Sequence, residues 1–274
     1  MCKYIILICM LIVLVCGGAC AKKKTREKGT CIAGDCSNGI GEMKYPKGSI
    51  YKGSFKNGEL NGNGLLTLKD GGKYEGEFKD DEYHGKGILT SPDGIIFNGD
   101  FKDGKPNGKG ILSSQDMKID GEFKDGKPNG RVIFTSKKMK YEGEMSDSSA
   151  GRSRFQGKGI GTWSDGIIYN GEWKDGNRNG HGIQTWPNGL KYVGEWKNDN
   201  RNGHGILTHP KGTKYEGEWR DDKATGTGTA IGANGDKYVG GFKDGVFHGT
   251  GTLYAPDGTK LVTGKFINGQ HVGE

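Results

Sequence analysis

The sequence predicts an all-β fold: an elongated single-layer antiparallel sheet of successive β-hairpins, curled or twisted along its length. Three observations carry that expectation. A phrase of aromatic, any residue, Gly, acid, aromatic and Lys returns close to every 23 residues from Tyr51 onward. Apolar and charged residues alternate with period two inside each phrase, and Asn-Gly or Asp-Gly pairs punctuate the stretches between phrases. A fixed period of this size marks a quasi-one-dimensional array whose units bury a core only against their neighbours.

In the phrase Tyr74-Glu75-Gly76-Glu77-Phe78-Lys79, an extended chain places Tyr74, Gly76 and Phe78 on one face and Glu75, Glu77 and Lys79 on the other. Asp80–Gly85 reads as a turn, Lys86–Thr90 as a second short strand, and Ser91–Gly94 as a turn that delivers Phe97, the next first aromatic. Glycine every few residues makes helix costly after residue 20. The first aromatic position is filled by Tyr51, Tyr74, Phe97, Ile119, Tyr141, Tyr169, Tyr192, Tyr215 and Tyr238, giving nine complete units with a half unit at each end. About 19–20 strands at ~4.8 Å spacing predict a ribbon roughly 90–95 Å long and ~20 Å wide. The glycines between paired aromatics leave room for rings to lie over the strand.

Composition sharpens this picture. Among 274 residues, 53 are Gly and only 32% are apolar, a mixture that without periodicity would suggest disorder. The formal charge is +7, but residues 1–30 hold +5 of it. The remainder intersperses acids and bases, so no basic face for nucleic acid is expected. No cofactor or metal set is expected either. Gly180-His181-Gly182 is followed by no helix and no Gly-Lys-Ser/Thr ending, which rejects a nucleotide loop. His181 and His204 share a register without the carboxylate shell a metal site needs. No catalytic constellation and no stretch long enough for a catalytic domain lies outside the repeat, so a non-enzyme is expected.

Residues 1–20 read as a signal peptide: Lys3, an apolar run over 4–15, then small residues ending at Ala19-Cys20-Ala21. Cys20 is the candidate lipid-attachment residue of an exported protein held at the cell envelope. Gly17 stands where the lipid-attachment motif prefers a branched apolar residue, which keeps plain secretion and an uncleaved anchor open. Residues 21–36 form a basic linker and a cap carrying Cys31 and Cys36, a disulfide candidate in an oxidising compartment; free thiols and a metal site are the alternatives. The array is assigned to 37–274.

The phrase, followed by x-x-x-Gly-x-Gly and a small-residue turn, resembles the MORN repeat (membrane occupation and recognition nexus) over about residues 37–274. The lead-in Cys31-Ile-Ala-Gly-Asp-Cys36-Ser-Asn-Gly-Ile-Gly is similar to that of exported bacterial, notably spirochaetal, MORN lipoproteins. The resemblance implies a sheet of hairpins acting as a scaffold or interaction module, and for some members lipid association.

Two features stand out as candidate partner-binding sites. Trp173, Trp196 and Trp219, with Tyr169, Tyr192 and Tyr215, form a stripe at identical register. The simplest reading makes them the apolar face of the sheet; the functional reading is an exposed groove for a peptide or helix. Since a single layer leaves that face bare, self-curling, dimerisation or a partner must cover it. The second feature is a five-residue insertion within 146–156, where Arg152, Arg154 and Phe155 mark a distinctive loop. Units three and four end in Met117-Lys118 and Met139-Lys140 in place of Asp-Gly, so the array is expected to lose regularity across 113–156. The expected role is protein–protein interaction at the envelope. Binding of anionic lipid headgroups is the alternative, and self-association through sheet ends or the apolar face a third route.

Overall fold

The computed structural model describes residues 28–147 and 153–273, and all regular structure among them is β-strand. Two compact units divide the chain, the first ending at Arg154 and the second beginning at Phe155. In each, antiparallel strands pair with their neighbours in chain order, forming an open sheet of successive hairpins. The described residues hold 22 strands, more than expected, because each terminal half unit contributes its own pair. Thr30–Gly34 pairs with Ile40–Lys44, and Lys260–Ile267 with Gln270–Gly273. Cys31 and Cys36 are joined by a disulfide with Cα atoms 5.9 Å apart.

One hairpin shows how sequence becomes structure. Lys73–Lys79 pairs with Glu82–Thr90, and only Asp80 and Asp81 turn, with φ of 50° and 69°. Asp and Asn tolerate this left-handed region better than other side-chain-bearing residues, and it matches the twist of the flanking strands. The six-residue turn expected at Asp80–Gly85 is therefore two residues long, and Glu82–Gly85 already belong to the second strand. A register shift between Gly76 and Glu77 makes a β-bulge; equivalent shifts fall between Gly171 and Trp173 and between Gly194 and Trp196. Bulges bend a strand, and here the early half of each second strand folds back across the aromatic face.

That fold-back supplies the missing cover. Nine residues after the first aromatic of several repeats, a side chain lies on the rings: Tyr83 stacks on Tyr74 and Phe247 on Tyr238, both at 3.8 Å between centroids. The equivalent Arg178 sits 4.4 Å from the Trp196 ring centroid and Arg201 sits 4.2 Å from that of Trp219. Tyr51, Tyr74, Tyr141, Tyr169 and Tyr192 are fully buried. Tyr51, Tyr74, Tyr169, Tyr192, Tyr215 and Tyr238 each meet two second aromatics edge-on, their own and the next: Tyr192 is 5.2 Å from Trp196 and 5.4 Å from Trp219, near perpendicular to both. Edge-to-face pairs at this spacing add to simple burial. Among the described residues the aromatic face is thus closed over by the chain itself.

Rings pass this close to backbone only over glycine. Gly194 and Gly205 pair across neighbouring strands, and a Cβ on Gly205 would lie 2.5 Å from Tyr192 Cε2. The fourth unit solves the same problem differently. Ile119 replaces the tyrosine, the glycine opposite Gly121 becomes Val132, and both side chains are buried. Lys105–Ser113 pairs onward through to Met139–Asp147 in the same pattern as other hairpins; of the stretch 113–156 where lost regularity is expected, residues 148–152 lie outside the described residues.

Candidate functional site

The repeated polar atoms are engaged in holding the hairpins. Tyr192 Oη donates to the Glu195 carbonyl at 3.0 Å, and Tyr74, Tyr141, Tyr169 and Tyr215 make the same bond three residues along their strands. The acid of the phrase turns to the bulge. Glu77 accepts from Lys86 N–H at 2.9 Å, Glu195 from His204 N–H at 2.7 Å and Glu218 from Thr227 N–H at 2.9 Å. The Thr227 backbone and hydroxyl hold the Glu218 carboxyl below the usual glutamate value. The indole N–H groups of Trp173, Trp196 and Trp219 donate to the carbonyls of Gly159, Gly182 and Gly205.

Neighbouring repeats are also tied through their hairpin ends. Asp199 Oδ1 accepts from Arg178 N–H at 2.9 Å and from Arg178 Nε at 3.1 Å, while Asp199 N–H donates back to the Arg178 carbonyl. Arg201 and Asp222 repeat the arrangement one unit later. The Arg178 guanidinium also reaches the side-chain carbonyl of the buried Gln184. Each arginine thus combines a bidentate-style clasp with a face on an indole, a pairing lysine could not reproduce.

Burial pushes the ionisation of Tyr74, Tyr141, Tyr169 and Tyr192 well above the ordinary tyrosine value, and that of Tyr215 up to about 12. An acid whose value is raised by folding favours the fold while it stays neutral. The stabilisation is complete below the unfolded value of roughly 10 and is lost as pH climbs from there through the folded values. Alkaline titration is expected to show tyrosinate absorbance appearing together with loss of the β-sheet circular dichroism. Ionisation of all eleven tyrosines near the ordinary value with the sheet signal intact would refute the buried-hydroxyl account.

The partner-binding candidates occupy other places than a groove requires. Trp173, Trp196, Trp219, Tyr169, Tyr192 and Tyr215 are all brought together, but as core, each less than a tenth exposed. Phe155 is buried against Trp173 at 5.6 Å, and Arg154 is half-buried. Arg152 and Cys20 lie outside the described residues. His181 and His204 are exposed beside the glutamate line, and among the described residues no group of three or more His, Cys, Asp or Glu is arranged to hold a metal. What remains outward is the opposite face. There Leu65, Ile88, Ile133, Ile160, Ile183 and Val193 recur at matched registers, each 37–43% exposed. The residue classes selected from the sequence were the ones the fold consumes; the aliphatic residue that follows most Gly-x-Gly stretches went unremarked, although the position recurs with the same period.

Against known proteins, the MORN repeat matches residues 51–73, 74–96, 97–116, 120–131, 169–191, 192–214, 215–237 and 238–260. The gap between 131 and 169 contains the unit with the insertion. No curated protein matches the chain. Among solved structures, the TCP10 domain of Danio rerio CPAP is similar at 12% identity over 83% of this chain and 90% of that one, with a TM-score of 0.29. The TCP10c domain of Drosophila melanogaster Sas-4 is similar at 12% identity over 87% and 100%, with a TM-score of 0.21. Superposition that loose says nothing about function. The family matches cover more than half of the chain, at the period and register described above, and the chain belongs to the MORN-repeat family.

Proposed function

We propose that this protein is a non-catalytic repeat scaffold that binds protein partners at the cell envelope, tethered there through lipid on Cys20. The observation that carries the reading is the use of the repeated polar groups. Tyrosine hydroxyls, indole N–H groups, phrase acids and the two clasping arginines are bonded to the backbone or to one another. Such groups are spent on rigidity, which leaves the array to present surface at a fixed spacing. Repeat arrays use surfaces of this kind for extended recognition. The apolar run over 4–15 and the Ala19-Cys20-Ala21 junction support export.

Binding to anionic lipid is the competing reading, and the charges on the hairpin ends weigh against it. Lys79 is followed by Asp80 and Asp81, Lys102 by Asp103 and Lys174 by Asp175, so the lysine edge carries acids at the same frequency. Two measurements test the proposal. Native protein is expected to carry a lipid-sized mass increment and to partition into detergent, both lost in Cys20→Ala. The protein is also expected to retain an envelope protein at salt that screens surface charge. Retention of anionic vesicles alone, falling steeply with salt, would replace it with the lipid reading. An unlipidated native chain would remove the tether.

A further inference from the structure

The outer face of the second unit carries three parallel lines of side chains, fixed by strand register. The middle line runs Ile160, Asn170, Ile183, Val193, Ile206, each the Cα partner of the next. Ile160, Ile183 and Val193 are 42%, 38% and 39% exposed. Two residues along the strands in one direction lie Glu172, Glu195 and Glu218, with His181 and His204 between them and Lys158 opposite Glu172. Two residues in the other direction lie Lys191, Lys214 and Lys237, paired with Thr185, Thr208 and Ile231. Past Ile206 the middle line meets Glu216, which pairs with Lys214 at 2.7 Å, and then continues through Thr229 and Val239. One side carries the three glutamates, each a carboxylate with one oxygen accepting a backbone N–H, the middle is mainly aliphatic, and the other side runs from the exposed Ile168 into three lysines.

We propose that this face docks a second copy of the chain. A two-fold axis parallel to the succession of strands turns the face over and reverses the strand direction. The aliphatic line then lies on its own copy, Glu195 lies over the partner's Lys191 and Glu218 over the partner's Lys214, on both flanks at once, and the one like-charge meeting, of Glu216 with its own copy, is offset by Lys214 beside it. Such an isologous contact closes at two copies. A two-fold axis along the strands would instead set glutamates against glutamates, a register that like-charge repulsion disfavours. The area is adequate: nine strands, from the one ending at Trp163 to Val246–Tyr254, at ~4.8 Å spacing and ~20 Å width offer about 800 Å² per copy. That is the share each partner contributes to a stable interface of ordinary size. The aromatic face competes for no partner, because it is closed within the chain.

Sedimentation velocity of the full chain in mild detergent, over a concentration series, tests this. A monomer–dimer equilibrium is expected, weakened by added salt. Val193→Lys, which sets a cation in the aliphatic line, is expected to weaken it about tenfold or more. Lys191→Glu is expected to weaken it without touching the apolar contact. Leu65→Lys, at the corresponding register of the first unit, is expected to change nothing. Melting curves matching the parent protein confirm that each variant is folded. A chain that stays monomeric throughout, or a dimer indifferent to both Val193→Lys and Lys191→Glu, overturns the proposal.

Discussion

Replacing Trp196 by alanine is expected to cost about 3–5 kcal/mol, the usual range for deleting a large buried aromatic. The ring is 4% exposed, meets Tyr169 at 5.4 Å and Tyr192 at 5.2 Å, and lies beneath Arg178. Its removal opens a cavity between two repeats, bares the Arg178 guanidinium to a void and leaves the Gly182 carbonyl without its indole donor. Trp196→Phe keeps a ring but loses that hydrogen bond and part of the indole's buried volume, so a smaller loss of about 1–2 kcal/mol is expected. Urea unfolding followed by circular dichroism separates the two variants. Since array stability is a sum of units and nearest-neighbour interfaces, the alanine variant should unfold in two steps, its damaged repeats first. Equal midpoints for alanine and phenylalanine would refute the packing account. Loss of partner binding in Trp196→Ala would therefore report unfolding, and a binding test belongs on Val193 or another outward residue.

How much of this was legible in the sequence follows from the range of each signal. Period-two alternation in Lys73–Lys79 and the Asn-Gly and Asp-Gly pairs are local, so the hairpins and their period could be read directly. The fold-back could not. It depends on a bulge between Gly76 and Glu77, and the four residues Glu82–Gly85 that it redirects look like polar turn. The covering position holds Leu60, Tyr83, Pro106, Arg178, Ala224 and Phe247, which share no chemistry. Only their constant place, nine residues after the first aromatic, betrays them. Without that cover the tryptophan stripe reads as an apolar face that self-curling, dimerisation or a partner must cover, which is why its residues also stand as binding candidates. The clasps were closer to view: Asn177–Gly182 and Asn200–Gly205 are identical, and each arginine precedes an aspartate by 21 residues.

Gly205→Val is expected to destabilise the protein by about 3 kcal/mol or more, through overpacking, since Tyr192 already fills the space above this glycine. The chain itself contains the compensated form. In the fourth unit isoleucine stands at the tyrosine position and valine at the glycine position, with Ile119 and Val132 each 1% exposed. Val132 pairs with Gly121 as Gly205 pairs with Gly194, so the backbone register is the same in both hairpins. Tyr192→Ile alone should also destabilise, because it empties the volume of a buried ring and frees the Glu195 carbonyl. Tyr192→Ile with Gly205→Val should recover about 2 kcal/mol relative to the sum of the single changes, within the coupling range for residues in direct contact. A double-mutant cycle by urea unfolding measures that term. Additive losses would mean that valine clashes with the paired strand and not with the ring, and that the Ile119–Val132 hairpin owes its packing to some other neighbour. Favourable coupling would establish that ring and glycine are one unit of the repeat, exchanged together or not at all.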